Sequence, residues 1–117
     1  MKKLLIVEDE EALCLLYKEE LSREGYDVTT AHDAEQALEM LGREHFDLII
    51  TDIRMPGRDG VELITEIMGL RKDVPIIINT AYQSYREDFM TWAADAYVVK
   101  SSSLDELKAK IKELMSR

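Results

Sequence analysis

Short apolar runs and helical stripes alternate along the whole chain. Leu4-Leu5-Ile6-Val7 is an unbroken apolar run, the pattern of a strand covered on both faces. Leu13, Leu16, Tyr17 and Leu21 then recur at helical spacing, and Gly25 follows as a stop. Val28-Thr29-Thr30-Ala31 reads as a second, more polar strand. Asp33 is placed to cap a helix whose Ala34, Ala37, Leu38 and Leu41 form one stripe. Leu48-Ile49-Ile50-Thr51 is a third buried strand, closed by Asp52 and the breaker Met55-Pro56-Gly57. Val61, Ile64 and Met68 mark a third helix, with Leu63 and Ile67 widening its face. Pro75-Ile76-Ile77-Ile78-Asn79 is the fourth strand, with proline at the first position, where it is tolerated. Tyr85, Phe89, Trp92 and Ala93 suggest a fourth helix, and Tyr97-Val98-Val99 the fifth strand. Leu104, Leu107, Ile111 and Leu114 give a fifth helix after the cap region Ser101-Ser102-Ser103.

Five βα units joined by short connections predict a (βα)₅ doubly wound parallel sheet with helices on both faces. In such sheets ligands sit beyond the carboxyl ends of the strands, where the strand order reverses. The 117 residues are expected to form one domain over 1–117. The net charge of −9 repels phosphate backbones and anionic lipid, which argues against direct nucleic-acid or membrane binding. The lone Cys14 points to a reducing compartment, and no apolar run approaches the length of a membrane span, so a cytoplasmic protein is expected.

The strand ends carry the candidate chemistry. Glu8 and Asp9 follow the first strand, with Glu10 and Glu11 close behind as complements to a helix dipole. Asp52 follows the third strand, Thr80 and Ala81 the fourth, and Lys100 the fifth. Crowded carboxylates repel one another unless neutralised. Mg²⁺ suits such a site, because it takes one or two carboxylates along with phosphate oxygens and waters. Asp9 and Asp52 offer carboxylates, a backbone carbonyl just past Asp52 another oxygen, and Lys100 a compact positive charge. Phosphoryl transfer needs such parts, since it depends on positioning and on neutralising charge at the equatorial oxygens. Asp52, the central acid, is the candidate acceptor, as in aspartyl-phosphate chemistry.

With these residues in place the sequence resembles the CheY-like receiver family, over nearly its whole length. The matching pieces are Val7-Glu8-Asp9-Glu10, Thr51 to Gly57, Asp59-Gly60, Pro75 to Ala81 and Ala96 to Lys100. The resemblance implies a flavodoxin-like sheet with strand order 2-1-3-4-5. It implies that Asp52 accepts a phosphoryl group from a histidine kinase or histidine phosphotransfer protein, in a two-component phosphorelay. Asp9 and Asp52 would then ligate Mg²⁺, or Mn²⁺ in its place, with Glu8 assisting through water and the Arg54 carbonyl completing the protein's share. Thr80, Ala81 and Lys100 would meet the phosphoryl oxygens. Thr80 and Tyr97 would form the switch, with Tyr97 turning inward behind Thr80. A downstream protein would read the face formed by the fourth helix, fifth strand and fifth helix.

Some positions depart from the family's pattern. The family usually has proline on a cis peptide bond after the strand-five lysine, and here Ser101 stands there. A non-proline cis bond costs about 2.5–4 kcal/mol, so the loop either bears that strain or runs differently. The resemblance also implies that Arg54 and Tyr82, two residues past Asp52 and Thr80 at positions that vary in the family, tune the lifetime of the acyl phosphate, which a long cation and an aromatic would shield. Asn79 puts an amide in an apolar strand and needs a partner if buried. His32 and His45 read as surface residues, and Cys14 as a small buried hydrophobe. The rival function is a Mg²⁺-dependent phosphohydrolase with an aspartate nucleophile. Such enzymes generally carry that nucleophile after the first strand, whereas Asp52 follows the third.

Overall fold

A computed structural model describes residues 1–55, 58–70, 73–81 and 94–116. Five parallel strands form one sheet: β1 (Lys3–Val7), β2 (Asp27–Ala31), β3 (Leu48–Thr51), β4 (Ile76–Thr80) and β5 (Ala96–Val99). They lie side by side in the order β2-β1-β3-β4-β5, the predicted 2-1-3-4-5. Helices α1 (Glu11–Arg23), α2 (Ala34–Arg43) and α3 (Gly60–Leu70), with a C-terminal helix (Asp105–Met115), make the crossovers and covers.

Alternation along the strands divides the core in two. Leu4, Ile6, Leu48, Ile50, Ile77 and Val98 face α1 and the C-terminal helix, against Tyr17, Leu21, Leu107 and Ile111. Leu5, Val7, Ile49, Ile76, Ile78 and Tyr97 face α2 and α3, against Ala37, Leu41, Leu63, Ile64 and Ile67. Each fully buried aliphatic side chain contributes about 1.5–3 kcal/mol of transfer free energy, which is why a strand covered on both faces reads as a continuous apolar run.

The local signals behave as their chemistry requires. Asp33 caps α2, its Oδ1 accepting the Gln36 N–H at 2.8 Å. Gly25, at φ +95°, takes the left-handed turn that ends the α1 connection. Ser103 Oγ accepts the Asp105 N–H at 3.1 Å at the start of the C-terminal helix. Asn79 finds the partner it needs: its Nδ2 donates to the Tyr17 hydroxyl at 3.1 Å.

Four features differ from expectation. Leu16 is exposed and Cys14 takes the buried place in α1, because Leu16 lies about 100° around the helix from Tyr17, on the side away from Cys14. β4 begins at Ile76, since Pro75 has no N–H to give the ladder; its carbonyl accepts from Ile49 N at 3.0 Å. Thr80 is therefore the last strand residue rather than the first after it. A short antiparallel ribbon, Arg54–Met55 against Arg58–Asp59, follows β3 where only a chain breaker was expected. The predicted fourth helix, with Tyr85, Phe89, Trp92 and Ala93, lies outside the described residues, as do Pro56, Gly57 and Tyr82.

Candidate functional site

The face that carries Leu4 and Ile6 continues to Glu8, that of Leu48 and Ile50 to Asp52, and that of Ala96 and Val98 to Lys100. All three ionic groups thus emerge on the α1 side, at the carboxyl end of the sheet. The register Val7↔Thr51 sets Glu8 beside Asp52. Their backbones are pinned by the ladder's last bonds, Glu8 N to Ala31 O at 2.9 Å and Asp52 N to Val7 O at 3.3 Å.

Lys100 closes the group. Its Nζ lies 2.6 Å from Glu8 Oε1 and 2.7 Å from Asp52 Oδ2, bridging two carboxylates that would otherwise repel. Glu8 and Asp52 are both buried. Burial pushes the Glu8 carboxyl up, more than the Lys100 and Glu10 N–H hydrogen bonds pull it down. Burial also opposes the charged lysine, yet the two carboxylates outweigh it and hold the Lys100 ammonium well above its ordinary range. The cluster is a buried anion pair sharing one cation.

The remaining candidates sit around it. Asp9 is exposed, just past Glu8, and Ala81 is exposed just past Thr80. Thr80 is buried on the α2–α3 face, one residue from Asn79, and its carbonyl accepts the Lys100 N–H at 2.7 Å. Tyr97 lies on that same face, 1% exposed, so its ring is already inside rather than waiting to turn inward. Arg54 lies in the ribbon that leaves β3. The Lys100–Ser101 bond is trans, like every other peptide bond of the described residues, and Ser101 Oγ donates to the Ser103 carbonyl at 2.8 Å. The loop thus runs without the family's cis bond.

Among the described residues, Glu8 and Asp52 share the one ammonium of Lys100 and Asp9 lies exposed beside them, and the excess negative charge suits a hard divalent cation with oxygen ligands. Their side chains do not converge as expected of a finished metal site. Among the described residues no three acidic, histidine or cysteine groups gather closely enough to hold an ion, because Asp9 faces solvent and Lys100 engages the other two.

Sequence reasoning gave Glu8 only an indirect role and missed its direct pairing with Lys100. It also missed the link from Tyr17 to Asn79, and the Cys14 thiol, which donates to the Glu8 carbonyl at 3.0 Å and lies 3.8 Å from His32 Nδ1. Burial and the surrounding carboxylates push that thiol up, so it is a poor nucleophile. His32 and His45 are exposed, as expected.

A five-stranded doubly wound sheet with an acid pair, an aspartate and a lysine at its carboxyl end defines a phospho-acceptor switch domain, and residues 4–112 match the response regulator receiver domain family. The chain belongs to that family. It is 36% identical over 121 residues to the alkaline phosphatase synthesis transcriptional regulatory protein PhoP of Bacillus subtilis, across 99% of this chain and 49% of that protein. It is 34% identical over 117 residues to the response regulator MprA of Mycobacterium tuberculosis, across 98% of this chain and 51% of that one. The chain thus spans about half the length of these relatives. Among solved structures it is similar to the response regulator TrrA of Thermotoga maritima in complex with Mg²⁺–BeF, at TM-score 0.91 and 50% identity over 97% of this chain and 99% of that one. TrrA in complex with the histidine kinase ThkA matches at TM-score 0.89 over 97% and 98% of the two chains. The phosphohydrolase alternative finds no support among these relatives.

Proposed function

We propose that this chain is one receiver domain over residues 1–117, which takes a phosphoryl group on Asp52 from a histidine kinase or histidine phosphotransfer protein. The observation that carries the reading is the Lys100 ammonium bridging Glu8 and Asp52 at 2.6 and 2.7 Å, at the carboxyl edge of the sheet. The two TrrA structures, one with Mg²⁺–BeF and one with a histidine kinase, support it by likeness.

Asp52 presents a carboxylate oxygen to phosphorus; the O–P bond forms as the imidazole N–P bond of the donor breaks. Lys100 stands beside Asp52 to meet the charge on the transferred oxygens, with the Thr80 hydroxyl and the Ala81 N–H as further donors. Glu8, Asp9, Asp52 and the Arg54 carbonyl are the residues that would hold Mg²⁺, or Mn²⁺ in its place. When bound, that ion neutralises charge on the phosphoryl oxygens. Arg54 and Tyr82 tune how long the acyl phosphate survives water. The chain catalyses only its own phosphorylation and dephosphorylation, with no turnover of an outside substrate.

Thr80 and Tyr97 couple the modified Asp52 to the face of β5 and the C-terminal helix, with the helix expected from the sequence over Tyr85 to Ala93, and a downstream protein would dock there. A cytoplasmic setting suits the single unpaired cysteine, and no helix among the described residues is long and apolar enough to cross a membrane. The test is direct. Acetyl phosphate with Mg²⁺ should add one phosphoryl mass to the intact chain, and Asp52→Asn should abolish the gain. Equal labelling of that variant would overturn the assignment.

A further inference from the structure

Lys100 stands on β5, yet its Nζ reaches Asp52, which follows β3, and Glu8, which follows β1. Strand β4 lies between β5 and β3, and strands sit about 4.8 Å apart, so the lysine stem must cross β4 to deliver its charge. The β4 residue on that face, level with the Asp52 end of this path, is Asn79. It shares its face with Ile77, and the register Thr51↔Ile78 sets Asn79 level with Asp52. On the other side Asn79 pairs with Val98, two residues before Lys100.

Asn79 is 5% exposed, a buried amide that follows three isoleucines in its strand. Its Nδ2 donates to the hydroxyl of Tyr17, itself buried in α1. Burial pushes that phenol up, and the charges of Lys100, Glu8 and Asp52 all act on it, so it lies within the field of the ionic cluster. A buried polar pair costs desolvation that two apolar side chains of the same shape would avoid. Packing alone therefore does not call for an amide and a phenol here. The pair has a place, between the helix that covers the site and the strand that the lysine crosses.

We propose that Tyr17 and Asn79 are positioning residues: the Tyr17–Asn79 hydrogen bond fixes the bed over which the Lys100 stem runs, and so holds Nζ where the phosphoryl oxygens will be. The inference rests on the assignment of Asp52 as the phosphoryl acceptor. Tyr17→Phe removes one oxygen and leaves the Asn79 N–H₂ short of its acceptor. Asn79→Leu removes the amide at nearly constant volume. The double variant Tyr17→Phe/Asn79→Leu leaves no orphaned polar group, so stability lost in the single variants should return. The position of the lysine should not return with it.

The experiment uses the full chain in three variants, with urea unfolding to report stability. Two readouts report the site: the rate constant of phosphorylation at saturating acetyl phosphate with Mg²⁺, and the affinity for beryllofluoride. Rate and affinity should fall about tenfold in each single variant, the scale of removing a partner that orients a functional group, and should stay low in the double variant although its stability recovers. Recovery of rate and affinity together with stability would show that the pair is packing alone and overturn the proposal. So would wild-type rate and affinity in Tyr17→Phe, the mildest change and the one that decides if the others unfold. Failure of the wild-type chain to take up phosphoryl or beryllofluoride would instead overturn the assignment of Asp52, and this inference with it.

Discussion

At the scale of single residues, the site is a problem of two buried acids and one base. Lys100 can satisfy Glu8 and Asp52 together only because both carboxylates leave their strands on one face and side by side. Glu8 titrates higher in the folded chain than its ordinary value of 4.5, because burial outweighs its hydrogen bonds. The native state then holds that proton more tightly than the unfolded chain. Its contribution to stability is therefore complete below about pH 4.5 and is lost as pH rises through the elevated folded value. Lys100, raised by its two acids, acts in the same sense only at alkaline pH, above its ordinary 10.5. In metal-free buffer, the stability of Glu8→Gln relative to wild type should accordingly rise as pH climbs from 4.5 towards neutrality. Urea midpoints of the two chains, measured at closely spaced pH, check this. A difference that stays flat would mean that Glu8 keeps an ordinary affinity for its proton. The site's ionic residues were legible because strands of alternating faces end in polar groups, which local pattern reveals. Glu8's pairing was not, since nothing near Glu8 in the chain announces that a lysine more than 90 residues on will reach it.

At the scale of elements, strands were legible wherever both faces are covered: Leu4 to Val7 and Leu48 to Ile50 declare themselves by unbroken apolar runs. Helix caps were legible too, because their chemistry is local. Asp33→Ala should cost about 1 kcal/mol, the usual loss when an N-cap acceptor is removed and a first-turn N–H is left to water. Urea denaturation of that variant checks the value, and an unchanged midpoint would mean that water replaces the cap at no cost. The ribbon at Arg54–Met55 and Arg58–Asp59 was not legible, since two residues a side carry no period. Leu16 misled for a related reason: an apolar residue on a helix fits several stripes, and the sheet chooses among them. From the sequence Tyr17 is one more member of such a stripe, and Asn79 an amide in need of a partner. The hydrogen bond between them joins positions 62 apart, which no local spacing encodes.

At the scale of the whole molecule, the sheet separates the ionic cluster from Thr80 and Tyr97, the residues proposed to read it. Glu8, Asp52 and Lys100 leave on the α1 side, whereas Thr80 and Tyr97 pack towards α2 and α3. The proposed route from a phosphoryl group on Asp52 to the second face is the end of β4, where Thr80 follows Asn79 and its carbonyl takes the Lys100 N–H at 2.7 Å. The phosphoryl oxygens offer the Thr80 hydroxyl a charge-assisted hydrogen bond. A ligand shifts an equilibrium only as far as it interacts differently with the two states, so that bond must supply part of the bias. Tyr97 is already inside, and the expected response is therefore a tightening of the β4–β5 edge around it rather than a swing from solvent. Beryllofluoride with Mg²⁺, a stable mimic of the phosphoryl group, should stabilise the wild-type chain by about 2.7 kcal/mol at a hundredfold excess over its dissociation constant. Amide shifts should spread from Asp52 through β4 and β5 to the C-terminal helix. Thr80→Ala should still be stabilised by the mimic, because Asp52 and Lys100 remain, while the shifts beyond β4 shrink. If saturating mimic gives that variant the wild-type map across β5 and the C-terminal helix, the coupling runs through the backbone at Thr80 rather than through its hydroxyl.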